Sequence, residues 1–140
     1  MKTMDIRTYN YKTEPYEHQL ETLARSAHKN LFALFLEMGL GKSKILLDNT
    51  AMLFEQGEIS GLLIVSPKGN LRNWDVHEIS KHLPDRIERN VLVWQPNHTQ
   101  QWTKDFKDMV EQDSTGVLNI FLINVEAFAT NKGCIFAEEF

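Results

Sequence analysis

The run Gly39-Leu40-Gly41-Lys42-Ser43 holds the first residues whose types and spacing point to chemistry. Glycines let a main chain curl so that successive N–H groups point inward, a geometry that binds phosphate oxygens. A lysine at the end of such a turn offers a point charge to β- and γ-phosphates. A serine hydroxyl beside it is a ligand for Mg²⁺. The turn works between a buried strand and a helix, whose N-terminal amides add the positive end of the helix dipole. Both flanks fit. Leu31 to Leu36 is apolar at every position, as in a strand covered on both faces. Ile45, Leu46, Asn49, Leu53 and Phe54 follow at roughly helical period. The strict pattern G-x-x-x-x-G-K-[ST] would put its first glycine at position 36, which is Leu36. An ordinary glycine turn with a solvated lysine is the competing reading.

Other elements must position this turn. Pro15, Tyr16, Leu20, Leu23, Ala24 and Ala27 have helical spacing, with proline in a favourable first-turn position. Leu62 to Val65 predicts a second buried strand, closed by Ser66-Pro67. Leu71, Trp74 and Ile79 predict a helix ending near Pro84, and Val91 to Trp94 a third strand. Trp102, Phe106, Met109 and Val110 fall on one helical face. Val117 to Ile123 predicts a fourth strand, with loop or short helix through Gly133 and another helix opening from Cys134 to Phe140. Alternating helices and strands imply an α/β fold, a parallel sheet with helices on both faces. Ligands bind such sheets at the carboxyl ends of the strands. The turns after Leu36 and Val65 are therefore the places for chemistry.

Composition narrows the function. The chain has 140 residues, 15 basic and 19 acidic, for a net charge of −4. Binding to nucleic acid by bulk positive charge is excluded, so any such contact needs a local basic patch. At 42% hydrophobic the chain is not disordered. Cys134 is the only cysteine, which rules out an internal disulfide and fits a reducing, cytoplasmic location. No stretch reaches the ~20 apolar residues a membrane span requires. The five histidines are scattered without metal-ligand spacing. Trp74, Trp94 and Trp102 read as core residues rather than platforms for bases.

Glu37-Met-Gly-Leu-Gly-Lys-Ser43 closely resembles motif I of Swi/Snf-type ATPases, a branch of the superfamily 2 helicases, where Asp-Glu-Met-Gly-Leu-Gly-Lys-Thr is usual. Pro15-Tyr16-Glu17-His18-Gln19 resembles that family's Q motif. Leu63-Ile-Val-Ser-Pro-Lys-Gly-Asn-Leu-Arg-Asn-Trp74 resembles motif Ia. Ile120 to Phe128 resembles the later strand and turn written Ile-Thr-x-Tyr-Glu. The resemblance spans roughly residues 14 to 128. Leu36 stands where Asp is usual, Asn124-Val125 where a Thr-Tyr type pair is usual, and Ser43 replaces Thr while keeping the hydroxyl.

The resemblance implies a RecA-like P-loop domain that binds ATP and Mg²⁺. Lys42 and Ser43 become the catalytic candidates, Ser43 also holding Mg²⁺ through its hydroxyl. Tyr16, Gln19, Glu37, Met38, Gly39, Leu40, Gly41, Lys42, Ser43 and Lys44 become the nucleotide contacts. A glutamine offers one donor and one acceptor, which suits adenine and mismatches guanine. Pro67, Lys68, Gly69, Asn70, Arg72, Asn73 and Asn124 become contacts to nucleic acid, most simply the backbone of double-stranded DNA. A plain strand-to-helix turn with solvated basic residues is the bland reading of residues 67–73.

Hydrolysis in this family also needs an acidic pair, motif II, on a strand beside the phosphate loop. Beyond Ser43 the sequence holds no Asp-Glu closing an apolar strand; Glu138-Glu139 instead resembles the helix before motif II. The expected fold is accordingly incomplete: residues 1–140 as a partial first RecA-like domain with residues 1–13 as its lead-in, without the motif II strand or the second lobe. Such a chain, whether a truncated piece or a natural short product of bacterial or phage origin, is expected not to hydrolyse ATP. An open sheet edge is expected to favour self-association. A stand-alone, non-catalytic nucleotide- or nucleic-acid-binding module is the alternative.

Overall fold

The computed structural model describes residues 5–27, 41–111 and 116–140. The expected strand Leu31–Leu36 and the site residues Glu37, Met38, Gly39 and Leu40 lie outside the described residues.

Helix α1, Glu17–Ser26, begins as the proline and apolar spacing predict. Helix α2, Lys42–Glu55, follows Gly41. Among the described residues, three strands form one parallel sheet in the order β1-β3-β2. They are β1, Gly61–Ser66, β2, Glu88–Val93, and β3, Val117–Asn124. Register pairs Gly61 with Asn119 and Ser66 with Asn124 on one side of β3, and Glu88 with Val117 and Val93 with Leu122 on the other. β3 is central and its apolar run is buried on both faces, with Leu118 and Ile120 to Ile123 wholly enclosed.

Alternation along β3 sends its side chains into two cores. Leu118, Ile120 and Leu122 meet Leu47 and Ala51 of α2, together with Leu71, Ile79, Leu83 and Ile87. Phe121 and Ile123 meet Trp94, Trp102 and Phe106, backed by Phe136 and Phe140. Trp102 and Phe106 come from α5, Gln100–Glu111, and Phe136 from α7, Asn131–Glu139. The sheet thus carries helices on both faces, as the alternating pattern implies. A third cluster joins Leu23 of α1 to Ile45 and Met52 of α2, with Ile6, Tyr9 and Tyr11 against it. Helix α2 is therefore buried on two sides, which explains its weak amphipathic pattern in sequence.

The segment after β1 is helical but irregular. A 3₁₀ turn, Lys68–Asn70, leads into α3, Leu71–Asn73, then a π-helical turn, Trp74–Glu78, then α4, Ile79–His82. Ile79 follows Trp74 by five positions, more than one α-turn spans. The π-helical turn absorbs the extra residue and brings both side chains to the same core. β2 starts at Glu88, earlier than the apolar run from Val91 predicts, because the pairing with β3 extends through polar residues at the sheet edge. Trp94 lies just past β2, its N–H donating to Leu122 O at 2.8 Å. A short helix, α6, Val125–Phe128, follows β3 directly. Among the described residues no helix is long and apolar enough to cross a membrane.

Candidate functional site

Gly41 is the N-cap of α2 and adopts φ 77°, ψ 44°, the left-handed region that glycine enters without steric penalty. The chain turns there and starts α2 at Lys42, which is exposed, with Ser43 half-buried behind it. The first turn of α2 contains no acidic residue to offset the positive end of the helix. Turn, lysine and hydroxyl thus stand at a helix N-terminus, as the sequence predicts.

Gln19 is buried against this turn. Its Oε1 accepts from Tyr16 N at 2.8 Å, and its Nε2 lies 3.5 Å from Gly41 O. The same Gly41 carbonyl accepts from Ile45 N at 3.3 Å. The segment read as a Q motif is therefore in contact with the base of the turn, and the chain itself engages both ends of the Gln19 amide. Tyr16 precedes α1 and is 71% exposed, its ring stacked on His18 at 5.9 Å between centroids.

Lys44 departs from expectation. Its side chain is turned into the protein, with Nζ donating to Asp48 Oδ2 and to Thr13 O, each at 2.8 Å. The ammonium stands 5.1 Å from the Tyr11 ring centroid. The i,i+4 pairing with Asp48 draws the amine away from the turn. As a nucleotide contact Lys44 has only its main chain to offer in this arrangement. Burial pushes the Asp48 carboxyl up to about 6, against the opposing pull of the Lys44 hydrogen bond and charge. Nothing in the local sequence marks the partner, since Thr13 contributes a main-chain oxygen.

At the carboxyl ends of the strands, Pro67, Lys68, Gly69, Asn70, Arg72 and Asn73 are all exposed. Asn70 N donates to Pro67 O at 2.9 Å, closing the 3₁₀ turn. Register sets this turn beside Asn124, the partner of Ser66. Asn124 itself is buried, and its Nδ2 donates to Glu126 Oε2 at 2.8 Å. Its role is to brace the start of α6. That hydrogen bond, with smaller help from the Lys68 charge, holds the Glu126 carboxyl below its ordinary range. A groove of about 650 Å³ runs from Lys68, Arg72 and Asp75 across the edge of β2 to Gln95, Thr99 and Gln101. The last three are polar residues with no motif around them, and only the fold groups them with Lys68. Trp94 and Trp102 are 7% and 4% exposed, in the core as expected.

Gly41, just ahead of Lys42 and Ser43, meets Gln19 near the start of α1 and α2, while residues 67–73, exposed except for Leu71, follow the end of β1. Among the described residues no group of three or more His, Cys, Asp or Glu stands ready to hold a metal ion. No curated protein matches the chain. Its sequence does match the family described as SNF2-related domain over residues 16–134, from the residue before α1 into α7. A match over most of the chain, on a parallel α/β sheet with helices on both faces, shows that this protein belongs to the Swi/Snf-type branch of the superfamily 2 helicase ATPases.

Proposed function

We propose that this chain is the ATP-binding part of a Swi/Snf-like translocase that couples ATP hydrolysis to movement on nucleic acid. Residues 1–13 serve as its lead-in and the rest as a first RecA-like domain. One observation supports this reading most: the left-handed Gly41 opens α2 at Lys42 while Gln19 rests against Gly41 O. A base-reading amide and a phosphate-binding helix end then share one carbonyl.

In this reading Gly39, Gly41 and the first amides of α2 cradle the phosphates, with Glu37, Met38 and Leu40 completing the turn. Lys42 places its charge on the β- and γ-phosphates. The Ser43 hydroxyl, half-buried one residue further on, has the chemistry to hold Mg²⁺, which supplies charge neutralisation to the phosphates when bound. Gln19 exchanges one of its internal contacts for adenine, and exposed Tyr16 flanks the base. Lys68 and Arg72, with Asn70 and Asn73, hold backbone phosphates of duplex DNA at the carboxyl end of β1.

Turnover belongs to a larger assembly with an acidic pair and a second lobe. Glu138 and Glu139 lie in helix α7, not at a strand end. The expectation for these residues alone is binding without hydrolysis. β1 pairs only with β3 among the described residues, and Leu63 and Val65 are exposed beside it. We read that edge as a surface for self-association.

The test is titration of the full chain with a fluorescent ATP analogue in the presence of Mg²⁺. Lys42→Ala weakens binding by tenfold or more, an effect of about 1.4 kcal/mol. Equal affinities for wild type and variant remove the assignment.

A further inference from the structure

We propose that Lys44 is a positioning residue: it ties the Tyr16–Gln19 corner to the Gly41–Ser43 turn and so sets base selectivity without touching the nucleotide. The proposal rests on the reading of that turn as a nucleotide site.

The side chain of Lys44 is 5% exposed and that of Asp48 is 3% exposed. Lysine is almost never enclosed to this degree unless paired. A buried ion pair is weak evidence for stability, because apolar residues of similar volume serve packing equally well or better. The carboxylate is also incompletely satisfied: Asp48 Oδ1 has no hydrogen-bond partner among the described residues. What the pair supplies is direction. Of the three ammonium donors, one goes to Asp48 on the same helix and one crosses to the Thr13 carbonyl, while the Tyr11 ring lies alongside.

Thr13 is in turn fixed from its other side. Its Oγ1 lies 2.9 Å from His82 Nδ1 at the end of α4. Neighbouring Lys12 bonds to Ser80 O and to Asp85 Oδ1 at 2.6 Å. The lead-in is therefore a strut pinned between α2 and α4, and Pro15, with its fixed φ, passes that position on to α1. Helix α1 carries Gln19 back to Gly41. The contacts close a ring from the Gly41 turn through Lys44 to Thr13, then through Tyr16 and Gln19 to Gly41 O. The phosphate turn and the base-side corner are two sides of that ring, and the length of the Lys44 side chain sets their separation.

The test compares wild type, Lys44→Met/Asp48→Leu and Asp48→Asn as full chains. The double variant removes both charges together and leaves none stranded. Asp48→Asn keeps an acceptor for Lys44 and hence the tie to Thr13. Each is measured for affinity to ATP, GTP and inorganic tripolyphosphate with Mg²⁺, for cooperative melting, and for hydrogen exchange of the α1 amides. In a melting-competent double variant, tripolyphosphate affinity stays within about twofold, while the ATP:GTP preference falls by about tenfold and α1 exchange rises by a similar factor, the scale of one lost hydrogen bond. Asp48→Asn retains the preference. A folded double variant with an unchanged ATP:GTP ratio overturns the proposal, even if α1 exchange moves, since the tie is then structural alone. If the double variant does not melt cooperatively, the closer isostere Lys44→Met/Asp48→Asn, which also strands no charge, is read in its place, and unchanged α1 exchange overturns the coupling. Wild type that binds none of the three ligands overturns the nucleotide reading, and with it the selectivity role. The α1 exchange data then still report whether Lys44 joins corner to turn.

Discussion

Gln19 Nε2 stands 3.5 Å from Gly41 O, and a Cβ placed on residue 41 would come within 2.2 Å of that same nitrogen. A side chain at position 41 would have to push the Gln19 amide aside. Two consequences can be separated, because Gly57 shares the left-handed conformation, at φ 76°, but has open space where a Cβ would go. Gly57→Ala should cost about 1–2 kcal/mol of stability, the penalty for a side chain in the left-handed region. Gly41→Ala should carry a similar backbone penalty and also displace Gln19. In chemical denaturation the two variants should look alike or show Gly41→Ala somewhat worse. In nucleotide titration only Gly41→Ala should fail. Retained binding in Gly41→Ala would separate Gln19 from the nucleotide.

Lys68 and Arg72 lie on an otherwise acidic molecule, so their contribution to DNA binding should be local and sensitive to salt. Each phosphate contact removed lowers the slope of log affinity against log salt by about one. Lys68→Ala and Arg72→Ala should each weaken binding to duplex DNA, to the same extent for unrelated sequences, and flatten the slope accordingly. Binding measured by anisotropy across a salt series checks this. Asn124→Ala should leave the slope unchanged, because an uncharged amide bonded to Glu126 releases no counterion.

Periodicity was enough to read the elements wherever apolar residues faced one core. α1 and α5 fall where their patterns put them, because Leu23 and Phe106 each point to a single interior, and the continuous apolar run of β3 marks a strand covered on both faces. The start of α2 was legible because glycine at position 41 suits the left-handed residue that precedes the helix. Side-chain roles decided by distant partners were not. Lys44 reads in sequence as a nucleotide contact beside the loop, and only the structure shows Thr13 O and Asp48 meeting its side chain inside. Asn124 reads as a surface contact until Glu126, two residues on, takes its amide. The π-helical turn at Trp74–Glu78 is visible only as an awkward interval of apolar residues. It becomes a turn because both ends must reach one core.

Two buried groups near the lead-in should give opposite pH dependences. Burial, followed by the Lys44 charge, holds His82 below its ordinary pKa; Lys81 and Lys12 add to this, and Glu78 opposes it. The unfolded chain then binds a proton below about 6.5 that the folded chain resists. His82 thus favours folding at higher pH, and that stability is lost as pH falls below about 6.5. Asp48, pushed up to about 6 by burial, keeps its proton when folded after the unfolded chain has released it. Its contribution is greatest at low pH and falls as pH rises from about 4 to about 6. Urea midpoints between pH 4 and pH 8 test both. Wild type minus His82→Gln should climb with pH, and wild type minus Asp48→Asn should decline over the lower half of the range. A flat difference curve in either case would mean that the group is solvated in solution.

Among the described residues β1 pairs only with β3; its even positions Leu62 and Ile64 pack toward α2, while Leu63 and Val65 are 36% and 40% exposed. Parallel strands are ordinarily covered on both faces and paired on both edges. An uncovered apolar strand presents N–H and C=O groups to any second chain. Lysine on such an edge opposes pairing, because each added strand would bury its charge. Val65→Lys sits where the side chain already reaches solvent, so its effect on monomer stability should stay within about 0.5 kcal/mol. Its effect on association should be large. In sedimentation velocity over a concentration series, wild type should show a mass that rises with concentration and Val65→Lys should remain a monomer. If both remain monomeric throughout, the β1 edge is closed in solution and association through it is excluded.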